Sequence, residues 1–269
     1  MKYHACTENQ KVAGRQTDYI DVMEKETILK AVGEYCGRNG IEAADWSPKA
    51  ALIDMDGTLI DSMRNHTAAW KRLSDELGLS ADRDEFYLYE GMTGRATIRL
   101  LFKRVHGYEP TDAECDELYA RKASYFNEMP RVPVIPGAAD MLRQLAARDI
   151  TRVLVTGSRQ LSNLDRLDND FPGAFPHHLR ITAADVSQGK PHPEPYLKGM
   201  ELAGVTPTES IVVENAPLGV ESGRAAGAFV VAVTTGPVPA RALADAGADL
   251  VFSSMEEFSS AIPLLLPKI

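Results

Sequence analysis

A chain of 269 residues that is 44% hydrophobic and 25% charged has the make-up of an ordinary globular protein of one or two domains, which excludes a disordered or fibrous chain. Its formal net charge of -9 excludes the broad basic surface that draws nucleic acid or anionic lipid. No run approaches the roughly 18 apolar residues of a membrane span, and the first residues lack a basic-then-apolar leader, so the expectation is a cytoplasmic protein with no nucleic-acid or membrane partner.

From Tyr19 to Tyr35 the apolar positions Ile20, Met23, Ile28, Val32 and Tyr35 recur at helical spacing, and Gly37, Gly40 and Ser47-Pro48 break the pattern. Residues 1–49 thus read as an N-terminal helical extension, whose apolar stripe could pack on the core, mediate oligomerisation or lie loose. Ala50 to Ile53 is a short apolar run that reads as a buried strand delivering Asp54-Met55-Asp56-Gly57-Thr58 at its carboxyl end. Asp61 or Ser62 is placed to cap a helix through about Leu77, and Thr111 with Glu114 forms a capping box ahead of a helix through about Phe126. Residues 64–131 accordingly look all-helical.

After Pro133 and Pro136 the texture alternates. Helices are expected at 138–147, 159–167, 193–203, 217–226 and 239–246, with strands at 151–156, 179–183, 210–214, 229–233 and 249–252 and a last helix beyond. Alternation of this kind is solved by a parallel sheet covered on both faces, a doubly wound (Rossmann-like) α/β core. The core comprises 50–63 and 132–269, and the helical block 64–131 is inserted after its first strand as a small cap domain over the carboxyl ends where sites gather. Cys6, Cys36 and Cys115 are odd in number with no Cys-x-x-Cys pair, so reduced thiols are expected, and His177-His178 read as a solvated pair.

Four stretches carry chemistry. Asp54 and Asp56 stand two apart, and a bend at Gly57 lets both reach one site, where paired carboxylates with a cation suit phosphoryl transfer: one attacks and the other manages the proton. Thr156-Gly157-Ser158 ends the next core strand with a hydroxyl and amides at a helix start, fit to hold an anionic oxygen. Lys190 precedes Pro191, which restricts it to an extended conformation and makes it a candidate for the positive charge. Glu214 and Asn215 follow an apolar strand and offer hard oxygen ligands to magnesium beside Asp54 and the Asp56 backbone carbonyl. Taken singly, the blander readings are turn or helix-capping roles for the aspartates, Thr156, Ser158 and Asn215, and a solvated surface site for Lys190.

In this order, the four stretches resemble the motifs of the haloacid dehalogenase superfamily over residues 50 to about 260, with Asp54-Met55-Asp56-Gly57-Thr58-Leu59 the most specific of them. The resemblance implies an aspartyl-phosphate on Asp54, acid and then base action by Asp56, phosphoryl-oxygen contacts from Thr156 and Lys190, and Mg2+ held by Asp54, Asp56, Glu214 and Asn215. Asn215 departs from the commoner aspartate. The helical insert is similar to the cap of the β-phosphoglucomutase-like branch, which implies substrate-side roles for His66 and Lys122. Substrate choice is expected in the cap loop Glu90-Gly91-Met92-Thr93-Gly94-Arg95, with Gly157 and Ser158 beneath it. Glu90 stands where a mutase has lysine, and this stretch resembles the inorganic pyrophosphatases of the branch. The expected substrate is therefore a small phosphorylated molecule, pyrophosphate first. A mutase or sugar-phosphate phosphatase is the alternative, a non-catalytic phosphate-binding module the remote one, and a monomer is favoured.

Overall fold

In the computed structural model, which describes residues 25–158 and 161–267, the apolar run β1 (Ala50–Ile53) becomes an inner strand of a parallel sheet. Its partners are β2 (Thr151–Val155), β3 (Arg180–Ile181), β4 (Ser210–Glu214), β5 (Phe229–Val233) and β6 (Leu250–Phe252), in the order β3-β2-β1-β4-β5-β6. Every neighbouring pair is parallel. Ile53 is level with Leu154 on one side and Val213 on the other, so three strands end together and open one crevice where the strand order reverses.

Alternation within each strand sends side chains to two cores. Ala51, Ile53, Leu154, Val213 and Val231 face α6 (Ala138–Ala146) and α11 (Met255–Leu265), while Leu52, Val153, Val155, Val212 and Val230 face α8 (Glu194–Ala203) and α9 (Pro217–Ala225). Burial on both faces explains the apolar runs Ala50–Ile53, Ile211–Val213 and Phe229–Val233 within β1, β4 and β5. Between the remaining strands lie α7 (Leu161–Asp170) and α10 (Ala240–Asp245). Arg159 and Gln160, at the start expected for α7, lie outside the described residues. β3 is shorter than expected because the Thr182 amide donates to the Asp185 carboxylate at 2.8 Å instead of continuing the ladder.

The insert consists of α2 (Met63–Glu76), α3 (Glu85–Leu88), α4 (Gly94–His106) and α5 (Asp112–Asn127), packed around Leu79, Phe86, Ile98, Leu101 and Cys115. The Thr111–Glu114 capping box is present. Ser62 does not cap α2: its backbone is already helical and its hydroxyl donates to Asp56. Helix α1 (25–39) runs on through Gly37 and stops at Gly40, whose φ of +68° is the left-handed conformation that ends helices. Ile20 and Met23 of the expected stripe fall outside the described residues. The described part packs on the sheet: Tyr35 meets Phe229 edge-on at 5.3 Å and donates to the Gly227 carbonyl at 2.8 Å. Cys36 and Cys115 are buried thiols.

Candidate active site

Asp54 leaves β1 with its amide still donating to the Val213 carbonyl at 3.1 Å, so its position is an extension of the sheet. The chain then doubles back at Gly57 (φ +79°), whose amide donates to the Ile60 carbonyl at 2.7 Å. A side chain is excluded here, since a Cβ would lie 2.1 Å from Asn215 Nδ2 and 2.7 Å from Glu90 Oε1. The reversal brings Asp54 and Asp56 to one cavity of about 60 Å3, shared with Thr156, Gly157, Ser158, Glu90, His66 and Lys122. A water needs roughly 10–15 Å3 of such volume. The site thus has room for a group of phosphoryl size.

Lys190 is buried behind Asp54 and donates at 2.6 Å to Asp54 Oδ1, at 2.6 Å to Glu214 Oε1 and at 3.1 Å to the Val155 carbonyl. Burial alone would lower its pKa, but the two carboxylates hold it above the ordinary lysine range. Burial pushes the Asp54 carboxyl up to about 8 against the pull of Lys190, with Glu214 and Asp56 adding to the rise. Glu214 is occupied: Oε1 also accepts from the buried Tyr196 hydroxyl at 2.6 Å, and Oε2 accepts from the Asn215 amide at 3.1 Å. Glu214, expected from sequence as a metal ligand, thus lies against Lys190 and Tyr196 at the end of β4.

Asp56 lives in a different setting. It accepts from Ser62 Oγ at 2.5 Å and lies 3.1 Å from His66 Nε2, while His66 Nδ1 lies 2.5 Å from Lys122 Nζ. Burial would raise Asp56, but His66 and Ser62 outweigh it and hold the carboxyl below its usual value. Burial, then Lys122, lowers His66, and burial lowers Lys122 to about 7. Lys122 is packed among the Trp70, Tyr119 and Phe126 rings, with its ammonium 5.2 Å from the Trp70 centroid. Lys122, His66 and Asp56 thus form a continuous chain of hydrogen-bonding groups.

Glu90 comes down from the cap to meet Asn215 Nδ2 at 2.9 Å, and Thr58 Oγ1 donates to Asn215 Oδ1 at 3.0 Å. Burial, and then the Asp54, Glu214 and Asp56 charges, raises the Glu90 carboxyl well above its usual value despite the Asn215 hydrogen bond. Asp54, Asp56 and Glu90 thus crowd one buried volume, with Lys190 committed beneath Asp54. The donor set fits a hard divalent cation, which would relieve this repulsion. Among the described residues no three acidic, histidine or cysteine side chains converge as a complete cage. Magnesium commonly takes one or two carboxylates and completes its shell with water and substrate phosphate.

The remaining candidates are distributed as follows. Thr156 Oγ1 accepts from the Ser158 amide at 3.1 Å, orienting the loop after β2. Arg95 is not in a loop: Thr93 caps α4, and Arg95 in its first turn pairs with Asp112 at 2.7 Å and with Asp116. It borders a separate cleft of about 830 Å3 between cap and core, not the carboxylate cavity. Ser62, Thr58 and Tyr196 were not expected at the site. Ser62 read as a helix cap, Thr58 lay within the Asp54–Leu59 stretch without a role of its own, and nothing local marks Tyr196; the partners of the last two lie 157 and 18 residues away.

A doubly wound sheet whose first strand presents paired aspartates at the switch point, under a helical lid, defines a class of capped α/β enzymes. The model for haloacid dehalogenase-like hydrolases matches residues 48–227, and the chain belongs to that family. It is 34% identical over 220 residues to validoxylamine A 7'-phosphate phosphatase of Streptomyces hygroscopicus subsp. limoneus, spanning 78% of this chain and 95% of that one. It is 33% identical over 214 residues to hexitol phosphatase A of Escherichia coli, spanning 78% and 93%. A solved structure from Bacteroides vulgatus, assigned provisionally as a β-phosphoglucomutase, superposes with a TM-score of 0.85 at 40% identity over 90% of this chain and 97% of that one. The chain is a hydrolase of the β-phosphoglucomutase-like branch. Among the described residues no helix is long and apolar enough to cross a membrane.

Proposed function

We propose that the protein is a phosphatase of small phosphorylated sugars or polyols that uses Asp54 as its nucleophile. The observation that carries this reading is the division of labour between two carboxylates, buried Asp54 on Lys190 and partly exposed Asp56 on Ser62 and His66. Asp54 attacks phosphorus to give an aspartyl-phosphate, and Asp56 protonates the leaving oxygen and then takes a proton from the attacking water. Lys190 fixes Asp54, Thr156 and the Gly157 amide face the phosphoryl oxygens, and the Lys122–His66 chain supplies the proton to Asp56. Bound Mg2+, held by Asp54, Asp56 and Asn215, would neutralise phosphate charge. The named relatives act on phosphorylated organic molecules, which supports a sugar or polyol phosphate rather than the pyrophosphate favoured by the sequence.

One observation keeps pyrophosphate as a second reading: the cavity beside Asp54 measures only about 60 Å3 and has the Glu90 carboxylate against it. Phosphate release with magnesium should be measured on hexitol phosphates, glucose 1- and 6-phosphates and pyrophosphate. The main reading predicts sugar or polyol phosphates at least tenfold ahead in kcat/KM, about 1.4 kcal/mol, no turnover in Asp54→Asn, and about 10²- to 10⁴-fold loss in Asp56→Asn. A lead for pyrophosphate selects the second reading, and full activity in Asp54→Asn defeats both.

A further inference from the structure

Asn215 ends β4 with its amide straddling the boundary between core and cap. On the core side the Thr58 hydroxyl donates to its Oδ1 at 3.0 Å; on the cap side its Nδ2 donates to Glu90 Oε1 at 2.9 Å. All three side chains are buried. This orientation gives both the donor and the acceptor of the amide a complementary partner, and the reverse would turn a carbonyl oxygen toward the Glu90 carboxyl. The approach is possible because Gly57 has no Cβ to fill the space between them. Just beyond Glu90 the cap loop rests on the core, and a Cβ at Gly157 would lie 2.7 Å from the Gly91 carbonyl oxygen.

We propose that Asn215 is a positioning residue whose amide latches Glu90, and with it cap loop 89–93, onto the core, and that asparagine at 215 and glutamate at 90 are a matched donor–acceptor pair. An aspartate at 215 would set two carboxylates against each other in a buried space. The importance of the latch for turnover rests on the phosphatase reading above. Its existence does not.

Hydrogen exchange of the peptide spanning 86–94 reads the latch directly, in magnesium and in EDTA, where no cation can bridge carboxylates. In EDTA, Asn215→Asp should exchange roughly tenfold faster than wild type. Glu90→Gln should stay within about threefold, because its amide carbonyl still accepts from Asn215. The swap Asn215→Asp/Glu90→Gln restores a donor–acceptor pair in reverse and should return exchange to within about threefold of wild type. With magnesium, kcat/KM should fall in Asn215→Asp and recover in the swap. Unchanged exchange in Asn215→Asp in EDTA, or a swap no better than that variant, overturns the latch. If no sugar, polyol or pyrophosphate substrate is turned over, the phosphatase reading fails while the exchange data still decide the latch.

Discussion

Closure of the cap can be tested by adding one methyl group at Gly157. The new Cβ would sit 2.7 Å from the Gly91 carbonyl oxygen and 3.1 Å from both the Gly91 carbonyl carbon and the Met92 oxygen. These are backbone atoms, so no rotamer change relieves the overlap and the cap loop itself must lift. Overpacking of this kind costs about 1–3 kcal/mol. Charged to the closed state alone, it lowers the closed population and kcat/KM about 5- to 150-fold, at 1.36 kcal/mol per factor of ten. Gly189→Ala supplies a milder comparison: the closest atom to its Cβ would be the Thr93 methyl at 2.7 Å, a group that can turn away, with the Thr93 backbone nitrogen at 3.1 Å. Turning it forfeits the Thr93 cap on the Ala96 amide, a cost of about 1 kcal/mol. The expected order of activity is wild type, Gly189→Ala, Gly157→Ala, measured by steady-state kinetics beside hydrogen exchange of residues 89–93. Both variants should melt within a few degrees of wild type, because lifting the cap relieves the contact without unfolding the core. Wild-type turnover by Gly157→Ala, or slower turnover with no gain in loop exchange, refutes the closure argument.

Two further outcomes concern stability. Gly33 lies inside α1, is exposed, and a Cβ there meets nothing within 4 Å, so Gly33→Ala should raise stability by roughly 0.5–1 kcal/mol and Tm by about 1–4 °C in thermal melts. Glu194 accepts from the Ser187 and Gln188 amides at 2.9 and 2.8 Å and pairs with Lys198 at 2.9 Å, which together lower its pKa from 4.5 to about 2. A carboxyl lowered on folding stabilises fully above its unfolded value, and that contribution is lost as pH falls through the folded one. Glu194→Gln should therefore lower Tm at neutral pH, with a difference from wild type that shrinks between pH 4.5 and about 2. A constant difference across that range would show that the carboxylate charge does not hold the loop leading to Lys190.

Local patterns went a long way with this chain. Apolar runs at 50–53, 211–213 and 229–233, set between helical stretches, read as strands covered on both faces, so the parallel sheet and the place of Asp54 at a strand end followed from residue order. The Thr111–Glu114 box was legible because both partners lie within one helical turn. Helix α1 was legible too, although its end was not: exposed Gly37 costs a helix too little to stop it, and the chain continues to Gly40.

What tertiary structure alone decided is which polar groups face one another. Lys190 meets Asp54 across 136 residues and Glu90 meets Asn215 across 125, separations over which no local periodicity carries information. Tertiary packing likewise set Glu214 against Lys190 and Arg95 on a pair of cap aspartates, while the local reversal at Gly57 brought the Ser62 hydroxyl to Asp56 instead of a helix cap. The sequence by itself determined the elements, their order and the carboxylates that reach the crevice. The charge state and partners of those carboxylates depended on burial and on side chains from strands and cap helices that meet only once the sheet has wound and the cap has closed.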